Sequence, residues 1–486
     1  MSKKIIIIGG GIAGLSAGCY ARMNGFDTEI YEMHTMAGGL CTAWTRKEFV
    51  FDGCLHWLTG SDPSSGYYPL WEEIGAVQGK TMVPYDVYSV VTDESGNRFT
   101  IYTDPDKLQE EMLRLGPKDR KAIDRIIGDI RVMMKYEMPP GVSLRTIYPM
   151  IRNILLLMKY REPVSELGKR FKNPVLRELF IEGLNWGPMC SGFLLWMLAA
   201  MGNGKAAYPV GGSAGFIRPI VERYEKLGGK FHFRSKVTGI TVENGRATGI
   251  TLADGTSQTA DYIISAADGH TAVYDWLGGK YVSQDIEEAY RDLILFPPLV
   301  YLSLGLNADY SSEPANRNYL LKEPIAIAGE KVNNIFVRVS SMDPSMAPPG
   351  KSVMTVMVGA KWDYWNKIPY HGEAYKQEKK QITEILLDKL DQLYPGLKEQ
   401  VEETDLATPH TFVRYTGNWR GSYEGWLMDR KAMKQRNLMT LPGLDHFYMV
   451  GHWTSPGGGL PSGLFTGRQA LKRICKKEGM QFRTER

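Results

Sequence analysis

An α/β fold headed by a dinucleotide-binding βαβ unit, with a second α+β portion interleaved along the chain, is the architecture these 486 residues predict. Three observations predict it. A continuous apolar run, Ile5 to Ile8, empties into the pattern Gly9-x-Gly11-x-x-Gly14, and an acid, Glu32, follows about twenty residues beyond it. Glycine-rich helix starts then return twice, in YPVGGSAGF from Tyr208 and in VGHWTSPGGGLPSG from Val450. Between these returns the texture changes to alternating strands and to helices rich in leucine and methionine.

The elements follow in order. Ile5 to Ile8 reads as a strand buried on both faces, because its apolar residues do not alternate with polar ones. Gly9 permits the tight turn, Gly11 lets the backbone approach a pyrophosphate, and Gly14 lets the next helix pack closely on the strand. That helix, roughly Ile12 to Asn24, aims the free amides of Ile12 and Ala13 at the phosphates, and Gly25 stops it. A second strand, Thr28 to Tyr31, ends at Glu32, whose carboxylate suits a ribose 2′-hydroxyl and repels a 2′-phosphate, so NADP is disfavoured. Met33 and the Gly38-Gly39-Leu40 turn complete the cofactor-binding set of this first segment. A signal peptide is the competing reading, since Lys3 and Lys4 precede an apolar run and small residues lead up to Cys19. The glycines weaken a signal helix, and Glu32 would go unexplained.

From Tyr85 to Asp104 a Ser-Gly-Asn turn between alternating residues predicts a hairpin, followed by charged helices to about Lys135 and apolar helical sequence to about Met201. After Tyr208 come a glycine-rich turn, a helix, a strand to Val237, and two hairpins marked by Asn244-Gly245 and Asp254-Gly255. Residues 297–361 supply further strands, Gly372 to Leu393 an exposed helix, and Phe447 to Val450 a last strand before a closing helix from about Ser462. The length suggests two domains. The expected division is discontinuous: residues 1–75, 208–290 and 440–486 against residues 76–207 and 291–439.

Composition narrows the function classes. With 43% hydrophobic and 23% charged residues the chain reads as globular, and a formal charge of +4 implies no nucleic-acid partner. Five cysteines form neither a CxxC pair nor metal-ligand spacing, which reads as reduced thiols in a cytoplasmic protein. No apolar run reaches the roughly 18 residues needed to span a bilayer.

Five segments, in order, resemble the phytoene desaturase, carotenoid isomerase and retinol saturase group of FAD-dependent oxidoreductases, relatives of the flavin amine oxidases. They are GGGIAGLSA with Glu32 and Gly38 to Leu40; FDGCLHWLTG from Phe51; YPVGGSAGF with the strand ending at Val237; VGHWTSPGGGLPSG; and TPHTFVRYTGNWRGSYEGW from Thr408. The resemblance implies a Rossmann-type FAD-binding domain, a glutathione-reductase-like βαβ unit with a β-meander, beside an α+β substrate domain with a mixed sheet and a helical cap. It further implies that FDGCLHWLTG, with His56 and Trp57, passes beside the flavin, and that the backbone of Val237 reads the adenine. The turn holding Gly451, His452, Gly458, Gly459 and Leu460 would bind the ribityl chain and flavin. The residues themselves also favour FAD over NAD, because a second glycine-rich helix start is brought back from the far end of the chain, enough to wrap a longer cofactor. Where many relatives end that last strand in Gly-Asp, this chain has Gly451-His452, as phytoene desaturases also lack the acid.

Three residues stand as catalytic candidates. His56 is either the polar group facing the flavin, titrating near neutrality, or a packing residue of the cofactor domain. Lys205 and Arg414 either place charge beside flavin or substrate or sit in surface ion pairs. Trp57, Trp186 and Trp196, with Met189 and Met197, line an apolar tunnel or form plain core. The segment RTIYPMIRNILLLMKYR, Arg145 to Arg161, has cations at both ends and suits either a monotopic helix admitting a lipid substrate from a membrane, within a membrane-facing helical region over 131–200, or a buried helix of the substrate domain. The expected substrate is a hydrophobic polyene, isoprenoid or lipid that is desaturated, saturated or isomerised. The alternatives are an amine-oxidase-like flavin oxidase of a smaller polar substrate and a non-catalytic prenyl-lipid carrier resembling Rab escort proteins.

Overall fold

The structure, a computed structural model, describes residues 2–137, 147–184, 187–435 and 438–485. Its first layer is a five-stranded sheet in the order Lys230–His232, Asp27–Tyr31, Lys4–Ile8, Tyr262–Ser265, Phe447–Met449, parallel throughout. Ile5 and Ile7 pack on the face covered by the helices Ile12–Met23 and Gly459–Lys477, while Ile6 and Ile8 pack on the opposite face beneath Val237, Ile250 and Phe447. That double burial is why the strand reads as an unbroken apolar run.

The last helix lies directly against the first. A β-carbon on Gly463 would stand 2.5 Å from the Ile12 side chain, and one on Gly467 2.7 Å from the Ala17 nitrogen, so glycine at both positions sets the approach. This helix begins at Gly459, three residues before its expected start, because Pro461 falls in the first turn, where a missing amide costs nothing. Beside the parallel sheet, Val237–Glu243, Arg246–Leu252 and Ser257–Thr259 form an antiparallel meander. Its first turn has positive φ at both Asn244 and Gly245, as a type I′ hairpin requires.

A seven-stranded mixed sheet forms the second layer, in the order Val401–Ala407, Leu299–Leu306, Ser352–Gly359, Glu330–Val339, Asn316–Ile327, Val87–Asp93, Arg98–Tyr102. Strand periodicity divides its faces. Val300, Leu302, Ile335, Val337 and Val356 pack beneath Ile382, Leu386 and Leu390 of the helix Glu373–Leu393, whereas Tyr301, Phe336 and Met357 turn to the other side. Helices Pro105–Leu115, Arg120–Lys135, Ile147–Lys159, Pro174–Gly183 and Ser191–Gly202 cap this sheet over a core that includes Ile123, Ile127, Phe180, Leu194 and Leu198. A small sheet, absent from the sequence expectation, joins the layers: Ala206–Pro209 pairs with Leu58–Thr59 on one side and Met82–Val83 on the other. Among the described residues no helix is long and apolar enough to cross a membrane.

Candidate functional site

A cavity of about 1630 Å³ opens at the carboxyl ends of the parallel strands and runs beneath the mixed sheet. Ile8 to Gly9, Tyr31 to Met33, Ala266 to Asp268 and Val450 to His452, the residues that leave four of those strands, all line it. It is larger than the several hundred Å³ typical of a single small-ligand pocket.

One end is a backbone cradle. Gly9, Gly11, Ile12 and Ala13 line it together with Gly38, Gly39 and Leu40. The Gly38 amide donates to the Gly10 carbonyl at 2.9 Å, and a β-carbon on Gly39 would meet the Gly11 Cα at 3.2 Å, so this floor is bare backbone. Gly14 does not face the cavity. It lies beneath Gly9, whose carbonyl oxygen would be only 2.0 Å from an added β-carbon, so its role is helix-to-strand packing. The Glu32 carboxylate lines the wall while accepting the amides of Gly10 at 2.7 Å and His34 at 2.9 Å, which ties the glycine turn to the second strand. Met33 and Val237 line the same end.

The C-terminal turn is built against this cradle, since a β-carbon on Gly451 would stand 3.4 Å from the Ala13 β-carbon. Gly457, Gly458 and Gly459 all hold positive φ, which only glycine adopts without strain. The Gly451 amide is fixed to the Thr466 hydroxyl at 2.8 Å. Two buried polar atoms here, His452 Nε2 and Ser462 Oγ, have no hydrogen-bond partner among the described residues. Burial pushes the His452 imidazole down to about 4, so it is neutral at pH 7. A neutral donor or acceptor left unpaired beside a helix N-terminus suits the carbonyls and hydroxyls of a flavin and its ribityl chain.

Of the catalytic candidates, only His56 reaches the interior. Its ring stacks near Phe336, with centroids 6.4 Å apart, and lines the cavity beside Trp57. The loop that carries it is held by Asp52, which accepts from Cys54 N, Leu55 N and Ser213 N at 2.9, 3.1 and 2.6 Å. Burial, with the Arg338 guanidinium nearby, keeps the His56 pKa well below the usual imidazole value, so it does not titrate near neutrality as the sequence suggested. Lys205 lies outside the cavity. Its ammonium pairs with Glu137 at 2.8 Å in a separate small cleft, because the Lys205 carbonyl is drawn inward to the Gly60 amide at 2.7 Å. Arg414 is exposed at the cavity mouth, donating to Tyr370 at 3.2 Å and facing His371 Nε2 at 3.3 Å. Trp57 and Trp196 line the cavity, whereas Met189 and Met197 are wholly buried core; Trp186 is outside the described residues.

The sequence reading missed four residues here. Arg338 is buried with its guanidinium on Tyr85 and Asn316, both at 3.3 Å, and over the Tyr208 ring. Asp268 faces the cavity at the end of a parallel strand. Burial raises it to about 6, and it accepts the amides of Thr271 and Trp419 at 2.7 and 2.8 Å. Tyr423 and Glu424 line the wall from the fifth segment, between Ser422 and Gly425. Only the quoted stretch RGSYEGW pointed towards them.

A model of the family described as flavin containing amine oxidoreductase matches residues 12–475. The chain belongs to this family. It is an FAD-dependent oxidoreductase. The chain is similar to the prolycopene isomerase of Arabidopsis thaliana, at 22% identity over 98% of this chain and 83% of that one. It is similar to the lycopene-forming phytoene desaturase of a Paracoccus species at 24%, over 95% of each. Among solved structures it superposes on putrescine oxidase with TM-score 0.63 at 13% identity, covering 98% of this chain and 99% of that one. Cyclohexylamine oxidase of Brevibacterium oxydans gives 0.60 at 13%, over 99% and 100%. At such identity these likenesses show the fold. In this flavin-containing oxidoreductase the glycine cradle, the Glu32 wall and the unpaired atoms of the C-terminal turn fit FAD: Gly9 to Ala13 would hold its pyrophosphate, Glu32, Met33 and Val237 its adenosine, and Gly451 to Leu460 its flavin half.

Proposed function

We propose that this FAD-dependent oxidoreductase acts on the carbon–carbon bonds of an apolar isoprenoid polyene. The observation that carries the reading is the wall beyond the cofactor cradle: Trp57, Phe193, Trp196, Phe296, Leu299, Phe336, Met357 and Leu427 make it largely apolar. A long unsaturated hydrocarbon gains from such a surface, about 25 cal/mol for each Å² it buries, whereas a small cationic amine loses hydration there. FAD supplies the two-electron exchange when bound. The chain contributes orientation by aromatic walls, exclusion of water, and a His56 ring that stays neutral and so adds no charge beside the polyene. Relatives named as prolycopene isomerases and phytoene desaturases support the same substrate class.

The helix Ile147–Lys159 supports a membrane source for that substrate. Ile147, Ile151, Ile154 and Met158 form one exposed stripe at helical spacing, widened by Tyr148 and Leu155, with exposed Arg152 and Arg161 nearby. The same helix presses on Ser191–Gly202, where a β-carbon on Gly192 would meet the Leu157 Cα at 3.2 Å; Phe193 and Trp196 of that second helix line the cavity. The apolar stripe is thus one helix removed from the substrate wall.

Incubating FAD-loaded protein anaerobically with phytoene or prolycopene in liposomes, once with the flavin oxidised and once with it reduced beforehand by dithionite, and reading product mass and absorption, tests the reading. Conversion of either is expected: a loss of about two mass units per new double bond means desaturation, a gain means saturation, and a shifted spectrum at constant mass means isomerisation. Unchanged polyenes, with bleaching of the oxidised flavin bands on adding putrescine, would overturn it in favour of an amine oxidase.

A further inference from the structure

Glu424 is a carboxyl group with no evident structural task. It lines the cavity and is half-buried there, with no hydrogen bond or ion pair to its side chain among the described residues. A carboxyl that serves the fold is paired, as the buried Glu73 is with Tyr20 and Arg468. Its position is fixed by the turn assigned above to the flavin half of the cofactor. A β-carbon on Gly458 would stand 2.6 Å from the Glu424 carbonyl oxygen, and one on Gly459 3.9 Å from its Oε1. The carboxyl therefore sits beside the start of the helix Gly459–Lys477, on the cavity wall.

We propose that Glu424 is the proton-transfer residue of this enzyme, its carboxyl exchanging a proton with the substrate carbon adjacent to the one that exchanges hydride. The inference rests on the polyene reading above and deepens it. For a saturated –CH2–CH2– unit, one C–H bond breaks with its electron pair going to the bound FAD, which is reduced by two electrons. The neighbouring C–H bond breaks with its proton going to the Glu424 carboxylate, and the electrons it leaves behind become the new π bond. Saturation runs the same balance backwards, with the carboxylic acid giving up the proton.

The surrounding titratable groups leave Glu424 free to act alone near neutrality. Burial holds its pKa up at about 7, the range in which a carboxyl both takes and returns a proton. The Cys54 thiol faces it and is held well above its ordinary value, first by the neighbouring Cys41 and then by burial. Burial likewise raises the adjacent Tyr423 phenol. His452, packed against Gly425 of the same loop, is already neutral, at about 4.

The test uses the FAD-loaded full chain and compares wild type with Glu424→Gln, Glu424→Asp, Tyr423→Phe and Cys54→Ser. Without substrate, the flavin absorption spectrum is recorded from pH 5.5 to 8.5. A wild-type transition centred near 7 is expected, retained in Tyr423→Phe and Cys54→Ser, shifted in Glu424→Asp, and lost in Glu424→Gln at unchanged FAD content. With phytoene, Glu424→Gln is expected to lose about 100-fold or more in rate together with the rate's pH limb near 7. A transition that survives in Glu424→Gln, or a rate within threefold of wild type (~0.7 kcal/mol), overturns the assignment. If Glu424→Gln fails to fold, a transition unmoved in Glu424→Asp overturns it equally. A flavin transition that belongs to Glu424 in an enzyme inert towards polyenes would instead reject the polyene substrate and keep the proton-transfer residue.

Discussion

At the residue scale, the site rests on groups whose ordinary chemistry is changed by burial. Gly14 was legible in the sequence because the GxGxxG spacing demands it. Gly14→Ala puts a β-carbon 2.0 Å from the Gly9 oxygen, and is expected to cost roughly 3 kcal/mol in urea unfolding and to abolish FAD binding. Gly128→Ala, mid-helix with open space around it, should instead gain up to about 1 kcal/mol. Equal effects at both positions would contradict the packing argument. His452 has a folded pKa near 4, below imidazole's ordinary 6.5, so its contribution to stability is complete above 6.5 and is lost as pH falls from there towards 4. The apoprotein should therefore lose about 2–3 kcal/mol more over that range than a His452→Phe variant; parallel pH–stability curves would refute it. Glu424 has the opposite sign. Raised to about 7, it stabilises only where it is protonated, and its contribution drains away as pH rises through 7. No local signal marks it, since a glutamate between Tyr423 and Gly425 in a loop is unremarkable until the chain brings Gly458 against it.

At the scale of elements, the helix Ile147–Lys159 shows what periodicity conveys and what it withholds. The apolar run from Ile147 announces a helix, with Pro149 in its first turn, but an almost wholly apolar segment does not say which side is covered. Packing decides it: Leu157 meets Gly192 and the Asn153 amide donates to the Tyr136 carbonyl outside the helix, leaving Ile151, Leu155 and Met158 exposed. Replacing those three with serine should reduce flotation with anionic liposomes about tenfold or more, while shifting the urea midpoint little, because exposed side chains carry little folding energy. Undiminished flotation would remove this helix as the anchor. The strands were legible for a related reason. The alternation in Leu299–Leu306 and Glu330–Val339 records two different neighbours, a helix on one face and the cavity on the other. The strand Ala206–Pro209 was not, because four residues buried on both sides carry no period.

At the scale of the whole molecule, FAD is the group that ties the ends of the chain together. Residues near 10, near 237 and near 455 converge on one cavity, and the last helix is already fitted to the first through Gly463 and Gly467. The order of the glycine-rich segments in the sequence foretold this convergence, whereas the positions of Lys205 and Arg414 depended on partners, Glu137 and Tyr370, that are remote in sequence. Saturating FAD binds only the folded state, so at a thousandfold excess over Kd it should add about 4 kcal/mol and raise Tm by at least a few degrees. An unchanged Tm would mean that the segments do not share one cofactor. If one cavity takes FAD and an apolar polyene side by side, as we propose, titrating the oxidised holoprotein with phytoene changes the flavin difference spectrum. A saturable perturbation of the flavin bands by phytoene, with none from putrescine, is expected; a response to putrescine and silence with phytoene would rule the polyene out.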